Sequence, residues 1–546
     1  MKHEKFYILT QSHSGAFVVC DWGGISLAAD VTNTVNGTTY TFTVGTNNTV
    51  TLSQIDGTAL ASYKGADIDL ATAYHVGTYT SGDITYTITS MVAMDGNTTI
   101  KTVEMPSTVT SLPNYCFQNC TALTTVSFPG IKTIWKYAFQ NCSALTGISI
   151  PEGATVGEKA FQNCTGLTGE LTIPKGTYNN LIFDGCKNVK DLFIHTGVYI
   201  EDKWTGHGCF GNMPSVTNVK LIDDGDHTIP AYLFGCASFK DGVTLDIDKS
   251  ITEIGDYAFY SANFPTKLDL SKFTSYGASA FEHNSAFKGN NGDGIIAVQK
   301  PADATSVTVH SKAFWSTGAT EIDIYPDVDY SGCGPEPSDK YYATGDGPYN
   351  GTNINTIKFT DGITSVPDYL FLHASDIPAT CAVTWPTKAI THIGNGAFCG
   401  VQFTAAIPSN MSGEGTIGEY AYAHNNMSGE ITIPTGCINI GSNALHDCKN
   451  ITKITVPKST TSIGEFAFSG CAILASVELP TLTSGDPQLT LGGGFIANDP
   501  KLTAFTITPQ FRNPTNSLRS LRSKPPRMRF LLFKLTFCHI LTDMSA

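Results

Sequence analysis

The sequence is short of charge, and of basic charge above all. Only 15% of its 546 residues are Asp, Glu, Lys or Arg, and 33 Lys and Arg stand against 47 Asp and Glu. A net charge of −14 argues against nucleic acid as a partner, because phosphate backbones are gripped by a basic face. No Cys-x2-Cys pair is present, so a zinc finger or ribbon is not expected. The 13 His are scattered, with no His-Glu-x-x-His and none beside a plausible nucleophile. No catalytic residue, metal ligand or cofactor is therefore expected. Gly492-Gly493-Gly494 has no Lys to complete a phosphate-binding loop and reads as a turn. Long apolar runs are missing too: residues 530–541 are apolar but interrupted by Lys534, and a membrane span needs about 20 residues.

What the sequence does have is a repeated phrase. Tyr-Cys-Phe-Gln-Asn-Cys ends at Cys120, Tyr-Ala-Phe-Gln-Asn-Cys at Cys142, Lys-Ala-Phe-Gln-Asn-Cys at Cys164 and Leu-Ile-Phe-Asp-Gly-Cys at Cys186. Phe117, Phe139, Phe161 and Phe183 thus recur every 22 residues. A fixed period in this range marks a solenoid, which also accounts for a chain longer than one globular core sustains. Cys120, Cys142, Cys164, Cys186 and Cys471 each fall three residues after the Phe of a repeat. Cys120, Cys142, Cys164 and Cys186 should stack one above another as free buried thiols, with no need of disulfides.

Each unit also carries an extended triplet, often closed by Pro, as in Val126-Ser127-Phe128-Pro129, Leu171-Thr172-Ile173-Pro174 and Ile454-Thr455-Val456-Pro457. Apolar residues flanking a polar one have period two, which predicts a strand with one face buried. Before the Phe stands Ile-Gly or a Pro variant, as in Ile254-Gly255-Asp256-Tyr257-Ala258-Phe259 and Ile463-Gly464-Glu465-Phe466-Ala467-Phe468. Gly and Pro are tolerated where a helical turn begins, so the Ala-Phe segment is predicted to be a short helical or irregular turn. The expected fold is an α/β repeat, a solenoid with a parallel β-sheet on one face and these turns on the other.

The composite phrase Ile-x-x-Ile-Gly-x-x-Ala-Phe-x-x-Cys-x-x-Leu, followed by Ile-x-Ile-Pro, resembles the leucine-rich repeat of BspA-like surface proteins. The resemblance covers residues 100–509. It implies an extracellular or cell-surface protein, with adhesion to host or neighbouring-cell surface proteins or glycans as the expected role. A structural spacer or stalk without a ligand is the alternative.

The expected organisation has four parts. Residues 1–30 form a leader, either a degenerate signal segment, the result of a misplaced start, or a disordered stretch. Residues 31–99 alternate apolar and polar side chains and read as a small β-rich N-terminal cap. The repeats run over 100–509, with insertions at 288–305 and 325–351. Residues 510–546 hold seven Lys and Arg against one Asp and are expected to lie outside the fold. A monomer without a transmembrane helix is expected.

A solenoid displays the middle residue of every triplet on one face. Half are Ser or Thr, but Asp246, Asp269 and Asp323 suggest an acidic patch able to attract a basic partner. The segment 325–351 carries Tyr325, Tyr330, Tyr341, Tyr342 and Tyr349 among Gly, Pro and Asp. That mixture suits a recognition loop, one that should be removable without unfolding the array.

Overall fold

The computed structural model describes residues 30–506 and 511–512, except 36, 64, 66, 70–77, 82–83, 202–207, 336–344 and 484. The leader and nearly all of the basic tail lie outside the described residues. Two compact units are present, one built from Met1–Ile251 with Tyr257–Pro265, the other from Thr252–Asp256 with Thr266–Ala546.

The apolar–polar–apolar triplets of the first unit pair in parallel to build its main sheet. Asp67–Asp69, Thr102–Glu104 and Thr125–Ser127 form one run, and Gly169–Ile173, Val189–His195, Asn218–Ile222 and Thr244–Ile247 another. Between the runs, Ile148-Ser149-Ile150 forms no strand, and a cavity of about 330 Å³ lies at the break, lined by Val126, Phe128, Ile148, Ile134 and Phe139. A second parallel sheet, not expected from the sequence, joins the two- and three-residue strands Ser111–Leu112, Thr133–Ile134, Thr155–Val156, Gly176–Tyr178 and Val198–Ile200. The second unit repeats the plan. Its main-sheet runs are Ile295–Ala297 through Ala382–Thr384 and Ser428–Thr432 through Ala504–Thr506. Residues 30–91 of the first unit add a mostly antiparallel sheet that contains the hairpin of Thr38–Val44 and Thr49–Ile55.

The α/β expectation gives way here to a β-solenoid of stacked parallel coils. Among the described residues the helices are four 3-10 pieces of three residues each, Thr46–Asn48, Leu60–Ser62, Leu270–Lys272 and Asn290–Gly292, and none falls on an Ala-Phe segment. The reason lies in the backbone. Two residues of most such segments adopt positive φ, as at Tyr115 (61°) and Asn119 (59°), Tyr137 (59°) and Asn141 (62°), and Lys159 (53°) and Asn163 (59°). A helix cannot propagate through left-handed residues. Instead alternate amides point to the next coil: Tyr115, Phe117 and Asn119 donate to the carbonyls of Lys136, Ala138 and Gln140, while Cys116, Gln118 and Cys120 close turns on Pro113, Tyr115 and Phe117. This satisfies the donors of a segment that has neither helix nor strand partners of its own. Asn tolerates the left-handed region, and its amides also form a ladder, Asn163 to Asn141 to Asn119, at 3.0 and 2.8 Å.

Inside this ribbon the Phe rings stack. Centroids of Phe117, Phe139, Phe161 and Phe183 lie 5.2, 5.1 and 5.5 Å apart with interplanar angles of 20°, 7° and 5°, an offset-stacked geometry that aromatic quadrupoles favour. The series continues through Phe210, Phe234 and Phe259. In the second unit it runs Phe281, Phe314, Tyr349, Phe371, Phe398 and Tyr422.

The cysteines beside these rings do more than fill space. The thiol of Cys142 donates to the carbonyl of Phe117 at 3.0 Å, that of Cys164 to Phe139 at 3.0 Å and that of Cys186 to Phe161 at 3.1 Å. The 13 described cysteines are free thiols. Burial pushes Cys120 and Cys186 up to about 12, so these sulfurs are neither nucleophiles nor ready metal ligands at neutral pH. Cys142→Ala removes one weak donor and one buried sulfur, and a loss of about 1–2 kcal/mol is expected from denaturant midpoints. The raised thiols also fix a pH trend. Their contribution is complete below the unfolded value of 9.0 and declines as pH rises towards 12.

Candidate functional site

Because side chains alternate along a strand, each main sheet turns two rows outward. In the first unit these are Glu170, Asp191, Asn218 and Thr244, and beside them Thr172, Phe193, Lys220 and Asp246, all in register. Most are exposed, and Phe193 and Asp191 are half-buried. The last triplets of the second unit give Glu430, Lys453, Ser476 and Ala504, and beside them Thr432, Thr455 and Glu478. Here Lys453 reaches both Glu478 at 3.0 Å and Glu430 at 3.8 Å.

The residues expected to form an acidic patch have separate fates. Asp246 is exposed, with Lys220 at its register position on the neighbouring strand. Asp269 is not in a strand: it caps the 3-10 turn Leu270–Lys272, accepting from the amide of Ser271 at 3.2 Å and its hydroxyl at 2.6 Å. Asp323 is 8% exposed and faces Lys358 at 4.0 Å. Burial, and then the hydrogen bond and charge of Asp323, raise the carboxyl of Glu321. Of the three, Asp323 alone is buried; Asp246 and Asp269 are exposed, and only Asp246 of these two stands in a main-sheet strand.

The tyrosine-rich segment differs more. Tyr330 and Tyr349 are 4% and 1% exposed, their hydroxyls 3.3 Å apart and their rings at 64°. Tyr349 takes the place of a Phe in the interior stack, and Val328–Asp329 pairs with Val307–Val309 as a second-sheet strand. These two rings cannot serve as surface contacts, and removing 325–351 would take out part of the interior. Tyr325 is half-buried, while Tyr341 and Tyr342 lie outside the described residues. The other supposed insertion, 288–305, likewise holds a main-sheet strand, Ile295–Ala297.

One cluster was not foreseen. His424, His446 and Asp447 each bring a ligand atom to within 4.8 Å of the others. His424 and Asp447 occupy the same left-handed position of consecutive coils, with φ of 56° and 58°, where coils of the first unit have Asn119, Asn141 and Asn163. His446 stands one residue before Asp447. Burial lowers the imidazole of His424, with His446, Lys449 and His373 adding to the effect and Asp447 opposing it. The spacing of 22 residues between His424 and His446, one coil, was the available signal.

Comparison with known proteins adds the following. No curated protein matches the chain. Among solved structures, a leucine-rich repeat protein from Bacteroides ovatus is 16% identical over 88% of this chain and 90% of its own, with a TM-score of 0.33. A leucine rich cell surface protein from Faecalibacterium prausnitzii is 18% identical over 83% and 96%, with a TM-score of 0.26. The pneumococcal vaccine antigen PcpA is 12% identical over 90% and 96%, with a TM-score of 0.24. The model of the BspA type leucine rich repeat region matches residues 87–205, 156–288, 338–412 and 415–489, well over half of the sequence. With that match and the coil-by-coil recurrence of the Phe and Cys ladders, the chain belongs to the BspA type leucine-rich repeat family.

Proposed function

We propose that this chain is a non-enzymatic recognition protein, secreted or held at a cell surface, that binds host or neighbouring-cell surface proteins or glycans through the outward face of its main sheets. The carrying observation is the in-register outward face of the first unit, where Phe193 stands between Thr172 and Lys220. A half-exposed aromatic ring in a polar, hydrogen-bonding surround is the composition of an interface anchor. No helix among the described residues is long and apolar enough to cross a membrane. The sheet of residues 30–91 serves in this reading as the cap of the first coils, and the chain acts as a monomer.

The test is a screen of the full chain against glycan arrays and immobilised surface proteins, followed by the double variant Phe193→Ser, Lys220→Glu. Tenfold or greater weakening for the selected ligand is expected, with an unchanged denaturation midpoint, since both side chains face outward. Equal binding by the double variant would move the site off this face. Absence of any ligand would favour the spacer reading.

A further inference from the structure

We propose that His424, His446 and Asp447 form a binding site for one divalent transition-metal ion, Zn²⁺ by the chemistry of its donors. Two imidazoles and one carboxylate are the donor set that Zn²⁺ takes when a fourth position is left to water. His424 Nδ1 and Asp447 Oδ2 lie 3.5 Å apart. Two ligands of a tetrahedral Zn²⁺ with bonds of about 2.0–2.1 Å sit about 3.3 Å apart, so this pair already has the required bite. The rings of His424 and His446 are 5.6 Å apart at 86°, edge to face, and all three donors fall within 4.8 Å. Closing a pair at 4.8 Å to about 3.3 Å asks for about 1.5 Å of side-chain movement, which the exposed His424 can supply.

A second, independent observation points the same way. Nδ1 of His446 is shut off from solvent and has no hydrogen-bond partner among the described residues. A buried polar atom left unpaired is costly, and coordination to a bound ion removes that cost.

The coil architecture explains how the donors meet. His424 donates its amide to the carbonyl of His446, and Asp447 donates to Ser469, so the two left-handed residues stand on adjacent rungs. Glycine occupies the rungs on either side, at Gly400 and Gly470. A Cβ on Gly470 would come within 2.4 Å of Asp447 Oδ1. Glycine there leaves the carboxylate its room.

The experiment uses the full chain, free of any histidine tag and stripped with chelator, titrated with ZnCl₂ by calorimetry and by thermal melting. One Zn²⁺ per chain and a raised midpoint are expected, with no response to Ca²⁺ or Mg²⁺. His424→Ala and Asp447→Asn should each weaken binding tenfold or more and abolish the shift, while melting like the parent in chelator. His424 carries the decisive variant because its side chain is 47% exposed, so its loss leaves the fold intact. Co²⁺ in place of Zn²⁺ should give visible absorption in the parent and not in His424→Ala. A parent chain that takes up no Zn²⁺, or variants that bind as the parent does, would overturn the site and leave an ordinary His–Asp ion pair.

Discussion

Replacing Phe161 by Ala is expected to destabilise the first unit by about 4 kcal/mol, in the upper range for a large ring removed from a closed interior. Phe161 is fully buried and stacked on both sides, 5.1 Å from Phe139 and 5.5 Å from Phe183. Its loss leaves a gap between two rings whose backbones are fixed by the ribbon, because Phe139 donates to Ala160 and Phe161 to Ile182. The neighbours can therefore collapse into the space only in part. Denaturant unfolding followed by circular dichroism measures the loss, and amide exchange should show lost protection across residues 117–183 first. A loss below about 1 kcal/mol would mean that the rings are loosely packed fillers.

Gly464→Ala is expected to cost about 3 kcal/mol, at the severe end of overpacking. The φ of this glycine is not the reason. A Cβ at this position would lie 2.4 Å from the amide nitrogen of Ser442 and 2.6 Å from the carbonyl carbon of Gly441. Both are backbone atoms of the preceding coil, so no side chain can move aside. Gly277, Gly394, Gly418 and Gly492 meet the coil before them in the same way, at 2.4 to 2.7 Å. Gly413→Ala is the matching control. Nothing stands within 4 Å of its added methyl, and a change within about 0.5 kcal/mol is expected. Equal costs at the two positions would show that chain entropy, not coil contact, sets the glycine requirement.

These two residues show why some of the structure could be read from the sequence and some could not. The interior Phe and Cys announce themselves because their period is unbroken over four coils, and the triplets because period two is unambiguous. Ile-Gly was visible but its cause was not, since a helix start and a close approach of two backbones both admit glycine. The left-handed pair at Tyr115 and Asn119 is harder still, because Tyr gives no warning of positive φ. Tyr349 follows Phe314 by 35 residues but precedes Phe371 by 22. Reading backwards from Phe371 would have placed it inside, where the Gly and Pro around it suggested a loop. Asp323 failed for a different reason: its place in an alternating triplet indicated exposure, yet its side chain lies nearly buried against Lys358 and Glu321. The His424 cluster combines one position of a coil with two of the next, which no linear motif expresses.

The ribbon of residues 115–186 has one more implication, for how such a chain can change its length. Every tie between coils within it, from amide to carbonyl, ring to ring, thiol to carbonyl and Asn to Asn, joins residues 21 to 25 places apart. A cassette of 22 residues added or lost in this stretch would leave each rung facing an equivalent rung, whereas one of 21 would turn its strand over and set Phe where Gln belongs. Duplication by whole cassettes is thus nearly free of structural cost, and the reach of the protein can drift over generations while its cross-section stays the same.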